Sequence, residues 1–173
     1  MTSGSITTTP QPDRPHIPGY GVPETQDGML PWGWAVERIA RAIHYWISTT
    51  RPDGRPHAAP VWAVWVDGVI AFEAGPRSRR SRNIAANPAV VVHLESGDDI
   101  VIVEGVAEVV RRPDPAFASR LIEAFSAKYA GYDYVYDADN WRDGGLYLVH
   151  PRKVMAWSGF HIQDATRWTL PSP

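Results

Sequence analysis

Apolar positions along the chain recur first at helical spacing and then every second residue, and the change of period marks the first elements. From Pro31 to Ala42 the residues Trp32, Val36, Ile39 and Ile43 fall on one face of a short amphipathic helix, with Pro31 suited to its first turn. Beyond it, Tyr45–Thr50 and Arg55–Val66 read as strands separated by Arg51-Pro52-Asp53-Gly54, a turn in which proline presets φ and glycine accepts a positive one. Asp67-Gly68 joins a third strand, Val69–Ala74, as a tight hairpin. Pro56 and Pro60 cannot donate to a ladder, which places their strand at an edge, a bulge or a barrel mouth.

Gly75-Pro76 ends the third strand, Ser78–Ala86 predicts a short helix, and Asn87-Pro88 stops it. Strands Ala89–Glu95 and Ile100–Val110 flank Ser96-Gly97-Asp98-Asp99. Asp114 then caps a helix running to about Tyr129, with Phe117, Leu121, Ile122 and Phe125 as its apolar stripe. A Tyr/Asp-rich loop from Gly131 to Gly145 precedes two strands, Leu146–Val149 and Lys153–Trp157. Six or seven strands with two or three small helices predict a mainly β, α+β barrel with helical caps, not a βαβ repeat.

At 173 residues the chain fits one domain, expected over residues 29–173. Residues 1–28, rich in Thr, Pro, Gly and Gln, predict an arm that is mobile or draped over a neighbour. A formal charge of −2 gives no general attraction for nucleic acid, and the absence of cysteine removes thiol nucleophiles, disulfides and thiolate metal sites. No targeting segment and no apolar run long enough to span a bilayer is visible, so a soluble cytoplasmic protein with no membrane partner is expected.

The sharpest local signal is Arg77-Ser78-Arg79-Arg80-Ser81-Arg82. Cations at a helix start oppose the macrodipole, and an anion resolves the conflict: a phosphate held by helix N–H groups, the Ser78 hydroxyl and forked guanidinium groups. The competing reading is a solvated basic turn or a nucleic-acid patch. His57 shares its strand with Trp62 and Trp65 and is a candidate donor to a bound ring, as is Tyr147. His44, His93, His150 and His161 read as structural residues, and none has metal-ligand spacing, so no metal is assigned. Asp98-Asp99 is explained by a turn. The chain lacks GxGxxG, GxxxxGK[ST] and GxSxG.

The order strand, turn, strand, hairpin, Ser-Arg-basic, Asn-Pro, strand resembles the pyridoxamine 5′-phosphate oxidase-like superfamily, which includes FMN enzymes and deazaflavin-dependent reductases. The resemblance runs from about Tyr45 to Trp168 and is most specific in TTRPDGRPHAAPVWAVWVDG and SRRSRNIAANP. It implies a split β-barrel homodimer with two cofactors at the subunit interface. It also implies an oxidoreductase moving hydride between the cofactor and a small organic substrate. By the same resemblance His57, Pro60, Val61 and Trp62 run beside the cofactor ring. Glu73 and Ala74 fall at the family's Tyr-Thr step, Ser78, Arg79 and Arg80 at its phosphate clamp, and Trp157 and Arg167 at a C-terminal pair that reaches the cofactor.

Ala74 lacks the hydroxyl usual at that step. Gln163 and Ala165 replace the Arg-x-His pair with which true oxidases hold substrate phosphate, which argues against authentic pyridoxamine phosphate oxidase activity. The expected cofactor is the deazaflavin coenzyme F420, with FMN as the alternative. Arg77 and Arg82 exceed a simple phosphate clamp and suit the anionic tail of F420. A non-catalytic flavin or deazaflavin storage protein is the second functional reading.

Overall fold

The computed structural model describes residues 9–141, 144–159 and 162–171. Its elements in chain order are β1 (Pro12–Asp13), α1 (Trp32–Arg41), β2 (Tyr45–Thr50), β3 (Pro56–Val61), β4 (Ala63–Val66), β5 (Val69–Glu73) and α2 (Arg79–Ala86). There follow β6 (Ala89–Leu94), β7 (Asp99–Val110), α3 (Pro115–Lys128), a 3-10 turn at Ala138–Trp141, β8 (Leu146–Ser158) and β9 (Thr166–Thr169). The fold is mainly antiparallel β with three helices, an α+β split barrel.

All strand pairs are antiparallel and the sheet order is β1-β9-β8-β7-β6-β2-β3, with β4 paired to β5 and β5 to β8. Because β4 continues the chain directly from β3, these pairings close a ring. Two corrections to the expected strands follow from that closure. The single strand expected over Arg55–Val66 divides at Trp62: β3 pairs with β2 and β4 with β5. The alternation of side chains runs unbroken through Trp62, so the change of partner leaves no mark in the pattern. The two strands expected after residue 145 are one continuous β8. Pro151, which cannot donate, sits where the register with β7 slips between Glu104 and Gly105, leaving Arg152 as the extra residue of a bulge.

The strand tally therefore exceeds six or seven. The extra members are β9, which carries no strong alternation, and the two-residue β1. Pro12 and Asp13 pair with Trp168 and Arg167, so this part of the arm lies against its own chain. Arg14 is buried there, and its guanidinium donates to the carbonyls of Thr25, Asp27, Gln163 and Ala165 at 2.6–3.0 Å. β3 is an edge strand, as Pro56 and Pro60 require. The hairpin at Asp67-Gly68 has both residues at positive φ, 51° and 84°, the conformation of a two-residue turn matched to strand twist.

Two apolar cores result. The barrel interior holds Tyr45, Ile47, Ile70, Phe72, Val92, Val103 and Val154, while α3 packs Phe117, Leu121 and Phe125 over the outer face of β4 and β5 with Trp141 and Leu146. Lys128, at the end of α3, is drawn in between them. Its ammonium donates to the Tyr45 hydroxyl (2.6 Å) and the Ala63 carbonyl (3.0 Å) and lies over the Tyr45 ring, so burial lowers its pKa to about 8.

Two predictions arise from this packing. A Cβ on Gly105 would meet the His150 carbonyl oxygen at 2.6 Å and Val149 Cγ1 at 2.8 Å, so Gly105→Ala should destabilise the chain by about 1–3 kcal/mol, read from urea midpoints. Lys128 keeps its proton to pH 10.5 when unfolded but only to about 8 when folded, so stability should rise with pH between those values. Burial raises the pKa values of Tyr45 and Tyr129, the latter to about 12, so stability should fall once the unfolded chain's tyrosines ionise above their usual 10. In Lys128→Met the rise should vanish and the fall persist; a rise of equal size in the variant would disprove the assignment.

Candidate functional site

The end of β5 opens into a pocket of about 460 Å³ lined by Pro60, Val61 and Trp62 from the β3–β4 junction, Glu73–Pro76, Arg80 of α2, and Phe125, Tyr134, Tyr136, Trp141 and Gly145. Six of the residues expected at a cofactor therefore share one cavity: Pro60, Val61, Trp62, Glu73, Ala74 and Arg80. Gly75-Pro76 ends the strand and lets the chain turn into α2, which brings Arg80 back over the barrel mouth.

The helix expected over Ser78–Ala86 is present as α2. Ser78 is the N-cap, accepting from the Ser81 N–H at 3.1 Å. Ser81 donates its own hydroxyl proton to the Gly75 carbonyl, so the Ser78 hydroxyl donates to Ser81 and is fully engaged in holding the turn. Arg80 is different. Its guanidinium carbon stands 5.4 Å from the Phe72 ring, its Nε is buried, and it has no hydrogen-bonded or carboxylate partner among the described residues. Burial lowers its pKa below the usual arginine range, the signature of a charge lacking a counter-ion. Arg80 therefore stands half-buried beside a helix start, with its buried Nε unpartnered among the described residues.

Successive residues of β5 point to opposite sides. Phe72 faces the barrel interior, where Tyr147 stacks on it at 5.0 Å, so Tyr147 is core packing under Arg80. Glu73 faces α3, where its carboxylate accepts from Trp141 Nε1 (2.5 Å) and the Tyr134 hydroxyl (2.9 Å). The pocket therefore carries a cation on one side of the β5 end and an anion on the other.

The other expected residues lie elsewhere on the chain. His57 stands on β3 opposite Thr49, with its Nδ1 buried and unpartnered among the described residues. Arg79 is exposed, close enough to Asp53 to help lower its carboxyl pKa, an effect led by the hydrogen bonds from Arg55 and shared by Arg51. Arg77 and Arg82 are exposed, and Arg82 donates to the Arg77 carbonyl. Trp157 pairs with Ile100 near the far end of β8, and Arg167 on β9 makes an ion pair with Asp13. Leu146 pairs with Glu73 beside the pocket, and Trp157 lies eleven residues further along β8 and outside the pocket lining.

Three of the histidines expected to be structural, His44, His93 and His150, have partners within the chain. His44 faces Glu95 at 3.3 Å, His93 stacks on Trp46, and His150 meets Glu108 at 2.9 Å; His161 lies outside the described residues. Asp98 and Asp99 form the expected turn, their N–H groups donating to Ser96, with Asp99 also paired to Arg38 at 2.8 Å. Sequence reasoning missed Phe125, Tyr134, Tyr136 and Trp141 as pocket residues. The aromatic density of the 131–145 loop was the available signal, but without periodicity it does not say which way the rings turn.

Comparison with solved structures places this fold among known ones. An F420 reductase is 28% identical, with a TM-score of 0.54 over 68% of this chain and 93% of its own. A conserved hypothetical protein of Mycobacterium tuberculosis superposes with a TM-score of 0.64 at 23% identity, over 79% of this chain and 90% of its own. The heme storage protein HutZ of Vibrio cholerae gives 0.55 at 17% identity, over 73% and 92%. No curated protein matches the sequence. The model of the pyridoxamine 5′-phosphate oxidase family matches residues 35–158, most of the barrel and the whole of the pocket, and the chain belongs to that family.

Proposed function

We propose that the chain is a homodimeric oxidoreductase that binds a flavin-type cofactor through its phosphate at Arg80, and that the cofactor is coenzyme F420 in preference to FMN. The observation that carries this reading is Arg80 itself: a half-buried guanidinium, its Nε buried, with no anionic partner among the described residues, at a helix start and at the edge of a 460 Å³ pocket. A phosphate is the anion that a planar guanidinium and first-turn N–H groups hold best. Ala74 contributes no hydroxyl, which leaves more of the contact to Arg80 and, from the surface side, Arg79. Ser78 acts by fixing the turn that presents them.

A bound flavin or deazaflavin supplies hydride transfer, chemistry that no side chain of this protein can perform alone. The protein's part is binding and orientation. Pro60, Val61 and Trp62 form a wall on which a planar ring lies, and His57, whose Nδ1 has no partner among the described residues, is a candidate proton donor on the same strand. F420 is favoured over FMN by the arginines in excess of a phosphate clamp, Arg77 and Arg82, which suit an anionic tail, and by the likeness to an F420 reductase.

The dimer is supported by the outer face of the sheet. Pro60, Trp46, His93, Ile102 and Met155 stand opposite one another across five strands, forming a row that water only partly covers. A second copy packed there would cover it and would bring its own Trp157 and Arg167 towards this chain's pocket, which they cannot reach within one subunit. A storage protein without turnover is the second reading, favoured by one observation. Where oxidases carry the substrate-phosphate pair, the Gln163 and Ala165 backbones hold the Arg14 guanidinium. A change in the bound cofactor's absorbance on adding candidate substrates separates the two.

Arg80→Ala should weaken binding of FMN and of F420 by about 1.5–3 kcal/mol in direct titrations, with Arg79→Ala affected less and the thermal midpoint little changed. Unaltered affinity in both variants would remove the phosphate from this site. Ile102→Glu should convert a dimer into a monomer in sedimentation velocity and lose cofactor affinity with it; a wild-type monomer that still binds cofactor would refute the shared site.

A further inference from the structure

The pocket has a second end, on the α3 side of β5, to which the phosphate reading gives no role. Four observations there agree on one kind of ligand. The Glu73 carboxylate is held in place by two neutral donors, Trp141 Nε1 and the Tyr134 hydroxyl, and no cation pairs with it among the described residues. The Tyr136 hydroxyl is buried, lines the same pocket and has no hydrogen-bond partner among the described residues. Trp62 packs against Tyr132 and Tyr134 with ring centroids 4.6 and 6.5 Å apart, yet both tyrosines are left 43% and 46% exposed, so aromatic surface stands open at the mouth. The described part of the loop, residues 131–141, carries Asp133, Asp137 and Asp139 and no basic residue.

We propose that Glu73, Tyr136, Trp62 and Tyr134 form a subsite for a small organic cation, a protonated or quaternary ammonium. Aromatic faces attract such a cation through their quadrupole and more strongly where water is thinned, and a fixed carboxylate supplies the counter-charge. An N–H of a protonated amine also gives the Tyr136 oxygen the partner it lacks. An anion is excluded from this end by Glu73 and drawn to Arg80, on the opposite side of the strand. The acidic loop raises the local concentration of cations at the entrance.

Binding of the cation stands on these residues alone. Its place as the substrate class of the oxidoreductase rests on the cofactor reading above, and the experiment keeps the two apart.

The wild-type chain is titrated by calorimetry with choline and with its neutral isostere 3,3-dimethylbutan-1-ol, and FMN and F420 are titrated in parallel. Choline should bind about tenfold more tightly than the isostere. Glu73→Gln should abolish that preference, and Trp62→Leu should weaken choline. Arg80→Ala should leave choline affinity unchanged. Equal or undetectable binding of choline and isostere by the wild type overturns the subsite whatever the variants do, as does a preference that survives Glu73→Gln. Choline binding that persists in a protein taking up neither cofactor supports the subsite and removes only the cofactor reading.

Discussion

The need to pair both hydrogen-bonding edges of β8 governs this structure. Its first residues have β5 on one side and β7 on the other; from Lys153 onward β9 takes the place of β5. A thirteen-residue strand stays paired along its length only by changing neighbour, and it bends to do so at the bulge around Arg152, where Gly105 lets the two backbones approach. An unpaired buried backbone group costs roughly 1–3 kcal/mol, so closure at this strand fixes the geometry of everything attached to it. Because β5 must end where β8 begins, the chain leaves the barrel at Ala74–Gly75, and the pocket opens at that point.

The same strand end sorts the charges. The two-residue period that buries Phe72 in the barrel turns Glu73 outward to α3. Arg80, returned by the Gly75-Pro76 turn, stacks on the barrel side. Opposite charges thus sit in one cavity without forming an ion pair with each other, each left to interact with something else. Had they faced the same side, a mutual salt bridge would have neutralised the site.

The α3 layer gives this arrangement rigidity by a route that is itself unusual. Lys128 is anchored by neutral groups, the Tyr45 hydroxyl and the Ala63 carbonyl, and no carboxylate pairs with it among the described residues. Tyr129, next along, shares the Ala63 carbonyl and stacks on Trp62 at 5.1 Å. The aromatic wall of the pocket is therefore tied through hydrogen bonds to the strand junction where β3 becomes β4, and the ring positions and the barrel closure are set together.

Local chemistry determined much by itself. The helices at Trp32, Arg79 and Pro115 follow from stripe, cap and proline; the turn at Asp67-Gly68 follows from residues that tolerate positive φ; and β3 is an edge because two prolines withhold their donors. The start of α2 with its four arginines was equally legible, since their conflict with a helix dipole needs no tertiary information. What the tertiary structure decided is which strands exchange partners and which side chains meet. The division at Trp62 and the union of β8 across Pro151 are invisible to a two-residue period, because alternation reports which face is buried and not which strand lies alongside. Of the four arginines, only Arg80 is half-buried with its Nε unpartnered among the described residues, and that depends on its reaching over Phe72, a contact between residues on different elements. The direction of the tyrosines after α3 was open for the same reason: an irregular segment has no period of its own, and only the surfaces it packs against fix where its rings point.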